Sequence, residues 1–272
     1  MKTAIIACVK CEERYIIEWI EWHINIGFDH FYLVDNNDAD YTPSLESVVK
    51  DYVDKGIVTI VDCKGMKPVQ PNCYNIVMDK YGDECDWYAV IDIDEFLYLP
   101  KHNNIKTFLN GFNNTDVIHI HWVFYGDNDL IYYEEGDVQK RFTKLAKVGK
   151  SAYVKSIFRN KSTIESHTHR KMVIDNLHLI LEGNDIVSKN CIGDTITTHG
   201  GFMCQYKDEE FDVAYLKHYI TKSLEEYINT KRKRGAGRRK KTDSNKYTMD
   251  FFFIYNEKTQ EKMEFLKKNN IE

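Results

Sequence analysis

The first 95 residues alternate between short apolar runs and stretches with helical periodicity, and this alternation constrains the fold more than any other feature. The apolar runs lie at 3–9, 31–34, 58–61 and 87–91, and the stretches with helical spacing lie at 12–26, 45–53 and 73–81. Strands that alternate with helices in this way pair in parallel through right-handed crossovers. The sequence therefore predicts an α/β fold with a doubly wound, mostly parallel sheet.

The pattern changes after residue 117 to shorter segments that are rich in aromatic residues and alternate between apolar and polar positions. Segments 117–124 and 151–158 indicate strands of a mixed, partly antiparallel half. Helices are predicted near 215–230 and 256–269, and the histidines of His167-Thr168-His169 would share one face of a strand. We predict one domain over 1–230, with halves at 1–100 and 101–230, followed by a basic loop and a helix over 231–272.

Composition and charge narrow the class of protein. The 43% of hydrophobic residues is typical of a globular chain, and a net charge of -5 argues against a nucleic-acid partner. The longest apolar runs fall far short of the ~20 residues that span a membrane. Seven scattered cysteines suit free thiols in a reducing compartment, so we expect a cytoplasmic protein.

A basic segment, 231–241, contains eight lysines and arginines in eleven residues. Such a segment is attracted to anionic lipid, and the apolar residues of the C-terminal helix could lie against the same surface. We therefore consider a peripheral contact with the inner face of a membrane. A solvated loop explains the same composition, because Gly235 and Gly237 favour flexibility.

Two carboxylates follow the fourth apolar run directly, in the segment Ile91-Asp92-Ile93-Asp94-Glu95. Asp92 and Asp94 are one residue apart at a strand end, so both can reach one divalent cation as the chain leaves the sheet. Oxygen ligands suit Mg²⁺ or Mn²⁺. A solvated turn is the alternative interpretation, and the spacing alone does not decide between the two.

Polar residues also follow the first two predicted strands, at the sheet edge where ligands of doubly wound folds bind. Asp35 could accept a hydrogen bond from a nucleobase or a ribose hydroxyl, or it could instead form an Asx turn with Asn36 and Asn37. Lys10 and Arg14 could meet phosphate or the base. Arg14 could equally form an i,i+4 pair with Glu18 on an exposed helix face.

Several blocks of the sequence, taken in order, resemble glycosyltransferase family 92 and its bacterial relatives in the family 2-like superfamily. The similarity extends over about residues 3–235. The blocks are the segments 8–23, 26–29, 35–37, 91–96, 122–126 and 218–227, with Gln70, Cys73-Tyr74-Asn75, Lys231 and Arg234-Gly235. This chain has Cys11 where the family usually has asparagine, and Asp127-Asn128-Asp129 where small residues are common.

This resemblance implies a GT-A fold whose first half (1–100) binds a nucleotide sugar and whose second half (101–230) binds the acceptor. It implies a UDP-sugar donor, Mn²⁺ or else Mg²⁺ as the cation, and His218 as a third metal ligand beside Asp92 and Asp94. It also implies Lys222 as a phosphate contact. The predicted donor contacts are Val9, Lys10, Glu13, Arg14, Asp35, Asn37, Gln70, Asp92, Ile93 and Lys222.

We expect transfer of a hexose, galactose or glucose, from the UDP-sugar to a glycan or a lipid-linked saccharide, with inversion at the anomeric carbon. Inversion needs a carboxylate base for the acceptor hydroxyl, and the candidates are Asp127, Asp129 and Glu182. A sugar nucleotidyltransferase is one alternative, although no glycine lies between Lys10 and Arg14 to form a phosphate loop. A non-catalytic protein that binds carbohydrate or nucleic acid is the other.

Overall fold

The computed structural model describes residues 1–66, 70–168, 172, 174–175, 178–179, 186–197, 203–233 and 247–271. The chain forms two compact units. The first contains Met1–Trp122 and Ala152–Leu216, and the second contains Val123–Ser151 and Lys217–Glu272. Glu182 and most of the basic segment 231–241 lie outside the described residues. The predicted boundary between residues 230 and 231 stays a prediction.

The secondary structure consists of strands and helices that alternate over the first hundred residues. The strands are β1 (Thr3–Val9), β2 (His30–Asp35), β3 (Val58–Asp62), β4 (Trp87–Val90), β5 (Glu95–Tyr98), β6 (Val117–Tyr125), β7 (Leu145–Arg159), β8 (Ile174–Asp175), β9 (His178–Leu179), β10 (Ser188–Asn190) and β11 (Tyr215–His218). The helices are α1 (Ile16–Asn25), α2 (Leu45–Asp54), α3 (Gln70–Tyr81), α4 (Ile105–Leu109), α5 (Val138–Arg141), α6 (Lys161–Thr168), α7 (Leu224–Tyr227), α8 (Met249–Tyr255) and α9 (Gln260–Lys268). A 3-10 turn (Asp208–Asp212) and a π-helical turn (Ile228–Arg232) complete them.

Among the described residues, nine strands form one sheet in the order β3-β2-β1-β4-β7-β6-β11-β5, and β10 pairs with β6. The first strands are parallel, since β1 pairs with β2 and β4, and β2 pairs with β3. The direction reverses where β7 joins β4. The predicted α/β fold, with a mostly parallel sheet and a mixed half, is therefore confirmed.

The strands β1, β2 and β4 are buried along almost their whole length, which explains why their sequences are largely apolar rather than alternating. On one face Ala4, Ile6 and Tyr32 pack with residues of α3 and α6. On the other face the Trp19 ring of α1 meets the Phe31 ring of β2 edge-on, with 5.7 Å between centroids. Because both faces are buried, the ends of these strands, which the polar residues follow, have fixed positions.

The second unit has its own apolar cluster, formed by Leu224, Tyr227, Met249, Phe252 and Leu266. A buried ion pair accompanies it. The Arg141 guanidinium donates to both carboxylate oxygens of Glu226, at 2.9 and 3.0 Å. Because a bidentate pair fixes the relative orientation of its partners, this contact locks α5 to α7.

The helix predicted near 215–230 is wrong in its first half. Residues 215–218 form β11, in which burial alternates from residue to residue. Lys222 then adopts a left-handed backbone with φ 56°, and α7 begins after a capping box between Ser223 and Glu226. His218 therefore lies at the end of a strand and not on a helix.

Two smaller expectations also change. His167 lies in α6, so the proposed His167-Thr168-His169 strand is wrong at its described residues. The C-terminal helix is shorter than predicted, because α9 begins after its Thr259 cap. No disulfide joins the seven cysteines, and none of the described helices is long and apolar enough to cross a bilayer.

Two buried histidines make stability depend on pH. His23 Nδ1 lies 2.8 Å from the Trp19 carbonyl, and burial lowers the pKa of His23 to about 3. Burial also lowers the pKa of His119 to about 4. Unfolded imidazoles bind protons near pH 6.5, so the unfolded state takes up more protons as pH falls. We expect urea denaturation to show a loss of about 2 kcal/mol per histidine between pH 8 and pH 5.

A substitution of His23 separates its contribution to the pH dependence of stability from the contributions of other titratable groups. The His23→Gln variant should lose less stability than the wild type over the same pH interval. His102→Gln is the matched control, because this ring is only half-buried in the same unit. An unchanged pH dependence in His23→Gln would contradict the assignment.

Candidate active site

Three carboxyl groups crowd the turn that follows β4. Asp94 and Glu95 are buried, whereas the Asp92 side chain is 21% exposed. The turn is closed by two hydrogen bonds: the Glu95 amide donates to the Asp92 carbonyl at 3.0 Å, and the Asp92 amide donates to Glu95 Oε2 at 3.1 Å. One oxygen of Asp94 and one of Glu95 lie within 4.8 Å of each other. The turn therefore concentrates carboxylates at a parallel-strand end.

A buried lysine from β7 enters this acidic turn. Lys155 Nζ lies 2.9 Å from Asp92 Oδ2 and 3.6 Å from Glu95 Oε2, and its side chain is only 1% exposed. Burial alone would lower the pKa of Lys155, but the neighbouring carboxylates outweigh it and hold the pKa above its ordinary value. Tyr74 of α3 donates its hydroxyl to Asp92 Oδ1 at 3.4 Å. Both oxygens of Asp92 therefore have partners.

A second polar cluster joins the loops that follow β1 and β2. The Asn37 side chain donates to Glu13 Oε1 at 2.5 Å and to Asp35 Oδ1 at 2.8 Å. Its own oxygen accepts the Cys11 amide at 2.8 Å. Cys11 has a left-handed backbone with φ 57°, so this contact stabilises an otherwise unfavourable conformation. Lys64 Nζ completes the cluster, 3.4 Å from Asp35 Oδ2.

The two clusters belong to the same edge of the sheet. Val9 is in register with Asp35, so the carboxyl ends of β1 and β2 coincide. β4 is parallel to β1, and the Ile91 amide continues the pairing by donating to the Ile6 carbonyl at 3.3 Å. Ligands of open α/β sheets bind beyond this edge. The first unit therefore brings the polar residues that follow β1, β2 and β4 to one edge of its sheet.

The other predicted donor contacts of the first unit have different environments. Lys10 Nζ lies 3.4 Å from Asp38 Oδ1, and Arg14 is exposed in the turn that precedes α1. Ile93 is buried within the acidic turn, and Gln70 is the first residue of α3. These positions agree with the predicted edge, while each contact with a nucleotide stays a prediction.

The remaining predicted residues lie in the second unit. His218 and Lys222 are both buried, and the His218 ring lies 5.2 Å from that of Phe124. Asp127 is buried and pairs with Lys262 at 2.5 Å, whereas the Asp129 side chain is 55% exposed. Burial raises the pKa of Asp127 despite this lysine. His218 as a metal ligand and these carboxylates as bases stay predictions.

Lys155 and Tyr74 are site residues that the sequence interpretation missed. The sequence contains a signal for Lys155, because it is a charged residue inside the predicted strand 151–158, where Val154 and Ile157 are apolar. A lysine in that position needs a buried partner. The partner of Lys155 is Asp92, which lies 63 residues away in the sequence. The antiparallel pairing of β4 with β7 brings the two residues together.

Comparison with known proteins places this chain in a family. The model of glycosyltransferase family 92 matches residues 4–252. A family 92 protein of Ricinus communis is 25% identical over 112 residues, which are 41% of this chain and 20% of that protein. Galactan beta-1,4-galactosyltransferase GALS1 of Arabidopsis thaliana is 26% identical over 102 residues, 35% of this chain and 21% of that protein. These matches span about a fifth of the plant relatives' length.

A solved structure of S. aureus TarS 1-349 in complex with UDP-GlcNAc is also similar. It is 15% identical, with a TM-score of 0.41, and the match covers 61% of this chain and 47% of that chain. The family assignment does not depend on it, since the family model covers most of the sequence. The match over residues 4–252, on a sheet of the predicted class, shows that this chain belongs to glycosyltransferase family 92.

Proposed function

We propose that this chain transfers a hexose from a UDP-sugar to a saccharide acceptor, with a divalent cation bound by the acidic turn. The observation that supports it most is the group of three carboxyls, Asp92, Asp94 and Glu95, at the same sheet edge as the Glu13–Asn37–Asp35 network. Family membership supplies the reaction class. GALS1, a similar protein, is named a galactan beta-1,4-galactosyltransferase, so we propose galactose as the first donor sugar to test.

The donor set fits a hard cation such as Mn²⁺ or Mg²⁺, because carboxylate oxygens are the ligands these ions prefer. Asp94 would hold the ion directly, while Asp92 would contribute an oxygen from a carboxylate that Lys155 and Tyr74 already orient. The family resemblance adds His218 as a third ligand. A bound cation would supply Lewis-acid stabilisation to the departing diphosphate.

Different residues of the chain would contact the nucleoside, the diphosphate and the acceptor. The Glu13–Asn37–Asp35 network would receive the nucleoside, since its carboxylates can accept hydrogen bonds from a base or a ribose. Lys222, with its compact positive charge, would meet the diphosphate. A carboxylate in the second half would take the acceptor proton, and Asp127, Asp129 and Glu182 are the candidates. A lipid-linked acceptor, membrane contact through 231–241 and a cytoplasmic location belong to this proposal as sequence-based predictions.

Nucleotide binding tests the proposal directly. In calorimetry we expect wild-type protein to bind UDP when Mn²⁺ is present, and we expect EDTA to weaken that binding at least about tenfold, because the cation neutralises the diphosphate. GDP is the matched control ligand. Absence of UDP binding in the presence of Mn²⁺ would contradict the donor assignment.

Product analysis with labelled nucleotide sugars separates the reaction classes. A glycosyltransferase releases UDP, whereas a nucleotidyltransferase that forms a UDP-sugar releases pyrophosphate. We expect UDP release that depends on both the sugar nucleotide and a saccharide acceptor. Binding of saccharide without any turnover would instead support the non-catalytic alternative.

A further inference from the structure

Lys155 brings a permanent positive charge into the acidic turn. Its ammonium group is buried and contacts Asp92 and Glu95, at 2.9 and 3.6 Å. The centroid of the Trp122 ring lies 5.9 Å from the same nitrogen. Lysine is almost never fully buried unless it is paired. A positively charged side chain of the protein therefore lies beside the carboxylates that would bind a metal.

Such a charge acts in opposite directions on the two ligands of the proposed function. A divalent cation that approaches the carboxylates is repelled by the ammonium group, and it must share Asp92 with that group. A diphosphate carries negative charge and is attracted by the same ammonium. Because the site is largely removed from water, both effects are stronger than they would be at a surface.

We propose that Lys155 makes cation binding depend on the nucleoside diphosphate. It weakens the binding of a divalent cation alone and strengthens the binding of the diphosphate to the cation-loaded site, so the two ligands bind together. This inference rests on the proposed function. Lys155 acts by its charge from beside Asp92 and Glu95, and it is a positioning residue.

The opposite signs of the two effects give the proposal its test. Lys155→Gln removes the charge but keeps a hydrogen-bond donor for Asp92. In this variant we expect Mn²⁺ alone to bind about tenfold more tightly than in the wild type, and UDP to bind the Mn²⁺-saturated protein about tenfold more weakly. Calorimetry measures UDP binding, and the electron paramagnetic resonance signal of unbound Mn²⁺ measures metal binding. A purely structural role would weaken both.

Lys161→Gln is the matched control. Lys161 belongs to the same unit and pairs with Asp79 at 3.0 Å, away from the acidic turn. We expect its Mn²⁺ and UDP affinities to equal those of the wild type. Changes in this control as large as those in Lys155→Gln would show that general charge, and not the contact with Asp92, is responsible, and would overturn the proposal.

A second pair of variants tests the same proposal in case Lys155→Gln does not fold. Lys155→Met combined with Glu95→Gln replaces the buried pair by neutral groups, and Glu95→Gln alone is its reference. The double variant should bind Mn²⁺ more tightly and UDP more weakly than this reference. Equal affinities, or two changes of the same sign, would overturn the role of Lys155, whereas wild-type protein that binds no UDP with Mn²⁺ would overturn the proposed function itself.

Discussion

Replacing Asp94 by asparagine is expected to slow sugar transfer by at least about a hundredfold, the factor that corresponds to a loss of about 3 kcal/mol in transition-state stabilisation. Asp94 is buried in the turn after β4, and the amide has nearly the same shape, so the fold should persist. The amide carries no charge and is a poorer ligand for a hard cation. The measurement is the rate of UDP release from the donor in the presence of Mn²⁺ and acceptor.

The comparison needs a control that loses a carboxylate elsewhere. Asp54→Asn provides it, because Asp54 is exposed and pairs with Lys50 on the surface of α2. We expect this variant to transfer sugar at the wild-type rate. Circular dichroism of Asp94→Asn should match the wild type. Activity close to wild type in Asp94→Asn would remove the acidic turn from the mechanism.

The first hundred residues could be interpreted from sequence because their pattern is local. Each strand from β1 to β4 contains a short, largely apolar run, and stretches with helical spacing separate these runs. The error at residues 215–218 has a physical reason: four residues are too few to distinguish strand from helix by spacing. The sequence does contain a signal for the true start of the helix, because Ser223 and Glu226 have the spacing of a capping box.

The candidate site could be predicted only in part. Asp92 and Asp94 were visible since they follow a strand in the sequence, and Asp35 was visible for the same reason. The partners of these residues were not. Lys155 reaches Asp92 across 63 residues, and Asn37 reaches Glu13 across 24, so both contacts depend on how the sheet and its loops pack. Local patterns identify strand ends, whereas long-range pairing decides what meets there.

The contacts of Asp127 also depend on long-range packing, and they bear on the role that this residue is expected to have. Its Oδ2 lies 2.5 Å from Lys262 Nζ, and its Oδ1 accepts the Asp129 amide at 3.0 Å. Its own amide donates to the Asn256 side chain at 2.7 Å. Asn128 and Asp129 both have left-handed backbones, with φ 52° and 65°. These contacts give Asp127 a structural task, the stabilisation of a loop with two left-handed residues, in addition to its proposed role as a candidate base.

Lys262→Met is therefore expected to lower the free energy of unfolding by about 3 kcal/mol, because it leaves the Asp127 carboxylate buried without its cation. Lys262 is completely buried, so water cannot compensate for the loss. The measurement is urea denaturation. Lys144→Met is the matched control: Lys144 pairs with Asp129 at 3.4 Å on the surface, where an ion pair contributes little.

The double variant Lys262→Met/Asp127→Asn then separates structure from chemistry. Removing both charges should recover most of the lost stability, since neither partner remains buried and uncompensated. If Asp127 only stabilises the loop, the double variant should transfer sugar at nearly the wild-type rate. A stable double variant without activity would instead identify Asp127 as the base, because a missing general base slows transfer by about a hundredfold or more.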